Sequence, residues 1–234
     1  MGALAASDIG SFQTGLLDLR ASPATLDVWA ATLSDEERAR AARFQRPNDR
    51  DRFVARRAGL RAVLAKHIGG DPAALDIHAD AMGKLYLSDA PDLHFNLSSS
   101  GGFALVVTAD TPVGCDIERR DPALACPKVA ERLFTDAEKA ELHALPADLW
   151  VSGFFNCWTR KEAYVKALGQ GLSLPLDSFG VSVDPRAPAC FTSAAPGWAL
   201  CSFEPAPGYQ AAVVAGISAS RDPEMIPRSS GRRF

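Results

Sequence analysis

Two carboxylates two residues apart, Asp116 and Glu118, flank Ile117 in the run Gly114-Cys115-Asp116-Ile117-Glu118. On a β-strand alternate side chains face the same way, so Cys115 and Ile117 turn into a core while both acids share the opposite face, about 6–7 Å apart. A hard divalent cation relieves the repulsion of such a pair, and Mg²⁺ takes one or two carboxylates and fills its other positions with water and phosphate oxygens. The same spacing also suits an ordinary solvated strand face. Further on, Trp158, Glu162 and Lys166 recur every four residues and line one face of a helix. An indole, a carboxylate and an ammonium in a row suit a site for a nucleotide phosphate and a metal, with the carboxylate as a third ligand or a base. They equally suit a surface Glu–Lys pair beside a half-buried Trp. Phe95-Asn96-Leu97-Ser98-Ser99-Ser100-Gly101-Gly102 reads as a strand ending in hydroxyls and glycines, a turn able to offer donors to an anion, or a plain Ser/Gly turn.

The elements that must carry these residues are legible in outline. Ser34 with Glu37 forms a capping box, and Pro47 sits where a second helix can begin. Between Arg38 and Lys66 there are ten basic residues against Asp49 and Asp51, so the two helices share a cationic surface that calls for something anionic. Strands are expected at 75–79, 84–87, 93–97, 103–109 and 113–118, separated by Gly and Pro breakers. Thr135 with Glu138 marks a helix over 136–144, and a long helix follows from 147 to 168, stopping at Gly169. Strands are expected again at 179–183, 199–203 and 210–217. Helices then strands, twice over, imply an α+β chain duplicated as two similar halves, 1–109 and 110–220, with a frayed tail over 221–234.

Composition narrows the function classes. The chain has 234 residues, 47% hydrophobic and 23% charged, with net charge −3. That is a globular composition, and the acidic total argues against a nucleic-acid binder. Five widely spaced cysteines without a C-x-x-C point to a reducing cytoplasm rather than a disulfide framework. No membrane-length apolar run or signal peptide is seen. No HExxH, Walker A, GxGxxG or GxSxG pattern is present.

In order and spacing these motifs resemble the 4′-phosphopantetheinyl transferases of the surfactin-synthetase type. Gly114–Glu118 is similar to their G-(I/V)-D-(I/V)-E, Trp158–Lys166 to W-x-x-K-E-(A/S)-x-x-K, Gly169–Leu176 to G-x-G-L-x-x-P-L, and Phe95–Ser100 to F-N-x-S-H-S. The resemblance runs from about Leu33 to Ile217. It implies a single, monomeric chain of two similar α+β halves with the active site in the cleft between them. The implied reaction moves the 4′-phosphopantetheine arm of coenzyme A onto a serine of an apo acyl or peptidyl carrier protein and releases 3′,5′-ADP. The carriers would serve fatty-acid, polyketide or nonribosomal-peptide (antibiotic) synthesis, met through the surface around 128–144.

Carried over by position, Asp116, Glu118 and Glu162 hold Mg²⁺, and Lys166 stabilises charge at the scissile phosphoanhydride. Lys161 and Lys84 contact phosphates, Arg40 and Arg52 meet the nucleotide end with Ser98 nearby, and Glu138 matches a further acid. Trp158 belongs to the same coenzyme site. The resemblance departs at Ser99, where the motif has a histidine that helps hold the nucleotide; the arginine-rich helices are expected to compensate. The competing reading is a catalytically degenerate module that binds coenzyme A or a carrier protein.

Overall fold

The computed structural model describes residues 12–171, 174–193 and 195–217. The tail expected beyond 220, and Leu172 and Ser173 of the glycine-rich run, lie outside the described residues.

Local sequence explains where the elements begin and end. Helix α1 (Pro23–Ala31) starts under Ser22, whose side chain accepts from the Thr25 amide. Helix α2 (Asp35–Ala41) carries the reciprocal Ser34–Glu37 capping box. Helix α3 (Pro47–Ile68) opens on proline and ends at Gly69, whose left-handed φ of 76° closes the last turn. Strand β1 (Phe12–Asp18) precedes these helices. After them come the short hairpin β2 (Ile77–Ala79) and β3 (Leu85–Leu87), then β4 (His94–Ser100), β5 (Phe103–Ala109) and β6 (Val113–Arg119). Helices α4 (Pro127–Leu133), α5 (Asp136–Ala144) and α6 (Ala147–Leu168) follow, and β7 (Trp198–Phe203) and β8 (Tyr209–Gly216) complete the order.

Among the described residues six α-helices thus combine with antiparallel sheets. One three-stranded sheet has the order β1-β5-β4, another the order β6-β8-β7, and β2 pairs β3 alone. Alternation along the strands builds the layers. Leu105, Val107 and Ala109 of β5 meet Cys115 and Ile117 of β6 and Ala211 and Val213 of β8 in a core between the sheets. Val106 turns the other way onto Leu60 and Leu64 of α3. Ala212 and Val214 turn onto Ala163 and Ala167 of α6. Each long helix therefore covers the outer face of one sheet.

Some expectations fail locally. The strand expected over 179–183 is a single bridge, Val181 to Phe191. Two of its amides are satisfied by acidic side chains, Val181 donating to Glu138 and Val183 to Glu141, while Ser182 donates to the Cys190 carbonyl and Gly180 to the Ser193 hydroxyl. Strand β1 and helices α1 and α4 are additional to the expected elements; β1 lacks the alternation that marks a strand, because its burial is irregular.

Candidate active site

Strands β4 and β6 run side by side in the same direction but belong to different sheets. Side chains join them. Asn96 Oδ1 accepts from the Cys115 amide (2.9 Å), Ser98 Oγ donates to Asp116 Oδ1 (2.7 Å), and Ser100 Oγ donates to Glu118 Oε2 (2.6 Å). The two-residue period of each strand makes the pairing regular: each step of two along β4 meets the next carboxylate along β6.

Asp116 and Glu118 lie on the face of β6 opposite Cys115 and Ile117, which enter the core. Asp116 is only 2% exposed. Its Oδ1 takes both the Ser98 hydroxyl and the Lys166 ammonium, at 2.6 Å, while its Oδ2 is buried with no partner. Lys166 also donates to Ser98 Oγ (3.2 Å). Burial pulls the Lys166 ammonium down, but the charge and hydrogen bond of Asp116 outweigh it and hold it above the usual lysine range. Burial pushes both Glu118 and Glu162 above the usual carboxylate range, and the charge of Asp116 adds to it in each case. Glu162 makes no side-chain hydrogen bond or ion pair among the described residues, whereas Glu118 is held by Ser100.

Among the described residues no three acidic, imidazole or thiol groups are drawn together closely enough to hold a metal ion as they stand. The chemistry of the donors nevertheless fits a hard divalent cation. The orphaned Oδ2 of Asp116 lacks a positive partner, and two further carboxylates are raised by burial and by the charge of Asp116.

Beside this cluster lies a cavity of about 200 Å³ lined by Arg40, Phe53, Arg56, Arg57, Lys84 and Asn96, among others. Arg40 and Arg56 both lie over the Phe53 ring, at 5.5 and 5.9 Å. Arg56 Nη1 donates to Ser99 Oγ (3.1 Å), so the guanidinium stands at the hydroxyl where the motif has histidine. Burial and then the charges of Arg57 and Arg40 push Arg56 below its usual range, the signature of cations crowded without enough anion. Among the described residues the only acid on these guanidiniums is Glu37, which binds Arg57 and Arg61 (each 2.6 Å at Nε). Arg52 is exposed on α3 and does not line the cavity. Local sequence marked Arg56 only as one of ten cations and Ser100 only as one of a run of hydroxyls; the packing of α3 and of β6 on β4 is what singles them out.

Two lysines are placed otherwise than as open phosphate contacts. Lys161 is 0% exposed, and its ammonium is consumed by Glu138 Oε2 (2.8 Å) and the carbonyls of Leu176 and Phe179 (each 2.6 Å). It has no donor left for a phosphate, because a buried ammonium must satisfy all its hydrogens internally. Glu138 also accepts from the Thr135 and Val181 amides, which makes this pair a structural joint between α5, α6 and the segment beyond. Lys84 donates to the carbonyls of Lys166 and Ala167. Trp158 stacks on Phe154, centroids 6.4 Å apart, and packs against the core of α4–α6.

Comparison with known proteins meets this geometry. The model of the 4′-phosphopantetheinyl transferase superfamily matches residues 112–214, the stretch that holds β6, α6 and most of β8. The chain is 38% identical to the 4′-phosphopantetheinyl transferase HetI of a Nostoc species over 193 residues, which is 80% of this chain and 81% of that protein. The chain belongs to this family. It is also 32% identical to the 4′-phosphopantetheinyl transferase Sfp of Bacillus subtilis over 186 residues, 78% of this chain and 82% of the relative. A further Bacillus subtilis 4′-phosphopantetheinyl transferase is 36% identical over 155 residues, 66% of this chain and 68% of its own. As a phosphopantetheinyl transferase the chain is an enzyme, and its acidic seam and arginine cavity lie side by side. All five of its cysteines are free thiols, and no described helix is long and apolar enough to cross a membrane.

Proposed function

We propose that the chain transfers the 4′-phosphopantetheine arm of coenzyme A to the serine hydroxyl of an apo acyl or peptidyl carrier protein, releasing 3′,5′-ADP. The observation that carries this reading is Asp116: one oxygen bound to Lys166 and Ser98, the other buried and unpartnered, next to a cavity walled by guanidiniums.

In this reading the active site lies in the cleft between two related α+β halves, 1–109 and 110–220, and coenzyme A spans it. Asp116, Glu118 and Glu162 hold a magnesium ion. When bound, that ion supplies charge neutralisation of the pyrophosphate, on which phosphoryl-type displacement chiefly depends. Arg40 and Arg56 draw the phosphorylated nucleotide into the cavity. The carrier hydroxyl attacks the phosphorus bearing the pantetheine arm, the phosphoanhydride breaks, and 3′,5′-ADP leaves with the bonding electrons. Lys166 places its ammonium where negative charge develops. Glu162 accepts the hydroxyl proton: among the described residues its carboxylate makes no side-chain hydrogen bond or ion pair, whereas Glu118 is held by Ser100. The carrier docks against the surface around 128–144, and the enzyme works as a cytoplasmic monomer without nucleic acid or membrane.

Incubation with coenzyme A, Mg²⁺ and a panel of apo carriers, read by mass spectrometry, tests it. The expected result is addition of one phosphopantetheine to the carrier serine. Tight binding of coenzyme A with no mass gain on any carrier identifies a degenerate binding module instead.

A further inference from the structure

The hairpin that joins β2 to β3 reaches across to the end of α6. Its own geometry is tight: Asp80 Oδ1 accepts from the Met82 and Lys84 amides (2.8 and 2.9 Å), the Asp80 amide donates back to the Lys84 carbonyl (2.9 Å), and Gly83 adopts a φ of 84°. From this turn the Lys84 side chain extends to the last turn of α6. Its Nζ donates to the carbonyls of Lys166 (2.9 Å) and Ala167 (2.8 Å), residues 82 and 83 positions further along the chain.

These are carbonyls that a helix leaves without intrahelical partners, at the end where the macrodipole is negative. The helix ends there on Gly169 with a left-handed φ of 68°, and a Cβ on that glycine would lie 3.3 Å from Lys84 Cδ. The stem of Lys84 therefore packs on the cap while its ammonium satisfies the carbonyls. One of the carbonyls belongs to Lys166, whose side chain holds Asp116.

We infer that Lys84 is a positioning residue for the transferase reaction: it fixes the last turn of α6, and through it the Lys166 ammonium, rather than binding a coenzyme phosphate. Lys84 also lines the arginine cavity, so the nucleotide site and the catalytic turn share one rigid wall. The inference rests on the transferase reading for its kinetic consequence but not for the cap itself.

The experiment compares wild type with Lys84→Met, which keeps the stem and loses the charge, and Lys84→Arg, which can still donate to both carbonyls. Amide hydrogen exchange without substrate reports the cap, binding of coenzyme A is measured by calorimetry, and kcat by carrier labelling. In Lys84→Met the amides of 165–170 are expected to exchange about tenfold faster or more, as expected for a turn that has lost its cap. Its kcat should fall about tenfold with the Kd for coenzyme A within about twofold of wild type, the pattern of a misplaced group rather than a lost ligand contact. Lys84→Arg should recover most of both losses. A weaker Kd with unchanged exchange and kcat overturns the inference and makes Lys84 a phosphate contact. Faster exchange with unchanged kcat overturns it too, leaving a cap without bearing on the reaction. A wild-type protein that labels no carrier overturns the transferase reading and the positioning role with it, while the exchange data still decide whether Lys84 caps α6.

Discussion

Gly114 of β6 lies against the backbone of Ala167 in α6. A Cβ built on the glycine would fall 2.7 Å from the Lys166 carbonyl carbon and closer still to the Ala167 nitrogen and Ala163 oxygen. Backbone contact at this point sets how near the helix bearing Glu162 and Lys166 comes to the strand bearing Asp116 and Glu118. Gly114→Ala must push the two apart. Overpacking of this kind costs about 1–3 kcal/mol. The thermal midpoint is expected to fall by several degrees, and carrier labelling to fall further than the loss of folded protein explains. Full activity in a folded Gly114→Ala variant would contradict the contact.

Ser100 bridges the seam twice: its hydroxyl donates to Glu118 and accepts from the Arg119 amide (3.1 Å). Ser100→Ala frees one carboxylate oxygen and leaves the exposed Arg119 amide to water, at about 0.5–1.5 kcal/mol for a lost hydrogen bond. We expect a folded protein whose kcat is lowered about tenfold and whose Mg²⁺ requirement shifts to higher concentration, measured by labelling across a magnesium titration.

Lys161→Met tests the reassignment of that residue. Removing one partner of a buried pair costs about 3–5 kcal/mol because the other charge is left alone. Glu138 is the residue left here, so denaturant unfolding should show a large loss of stability. The fraction that remains folded should bind coenzyme A with wild-type affinity; a selective loss of affinity with unchanged stability would restore Lys161 to the phosphate site.

Arg56→Met should weaken coenzyme A binding by about tenfold, equal to roughly 1.4 kcal/mol, and flatten the salt dependence of Kd. Isothermal titration at two ionic strengths reads both. If Ser99→His tightens binding greatly while Arg56 is present, the guanidinium does not compensate for the histidine.

Glu37 gives a pH dependence. Burial pushes its carboxyl up, but hydrogen bonds from Arg61 and the Ser34 amide and the charges of Arg57 and Arg61 prevail and hold it below its usual 4.5. A carboxyl lowered on folding contributes stability that is complete above its unfolded pKa and is lost as pH falls through the folded one. Wild type should therefore lose stability on acidification below about pH 4.5, whereas Glu37→Gln should start lower at neutral pH and lose less over that interval. Parallel curves in urea unfolding from pH 7 to pH 3 would count against the network.

Much of the chemistry was written in local sequence because its determinants are local. The carboxylates of β6 share a face because a strand has a period of two, Trp158, Glu162 and Lys166 share one because a helix has about 3.6 residues per turn, and caps such as Thr135–Glu138 close over a single turn. Those rules also placed α5 and α6 at their observed ends. They could not sort ten cations in one region. Arg57 and Arg61 became partners of Glu37, Arg38 and Arg50 paired with Asp35 and Asp51, and Arg56 was turned toward Ser99. Nor could they tell that Lys161 would be sealed inside while Lys84, distant along the chain, would cap α6. Periodicity states which side chains point the same way. What each ammonium or guanidinium meets depends on which carbonyls and carboxylates the packing of helix on sheet leaves without water, and that is decided only when the whole chain has folded.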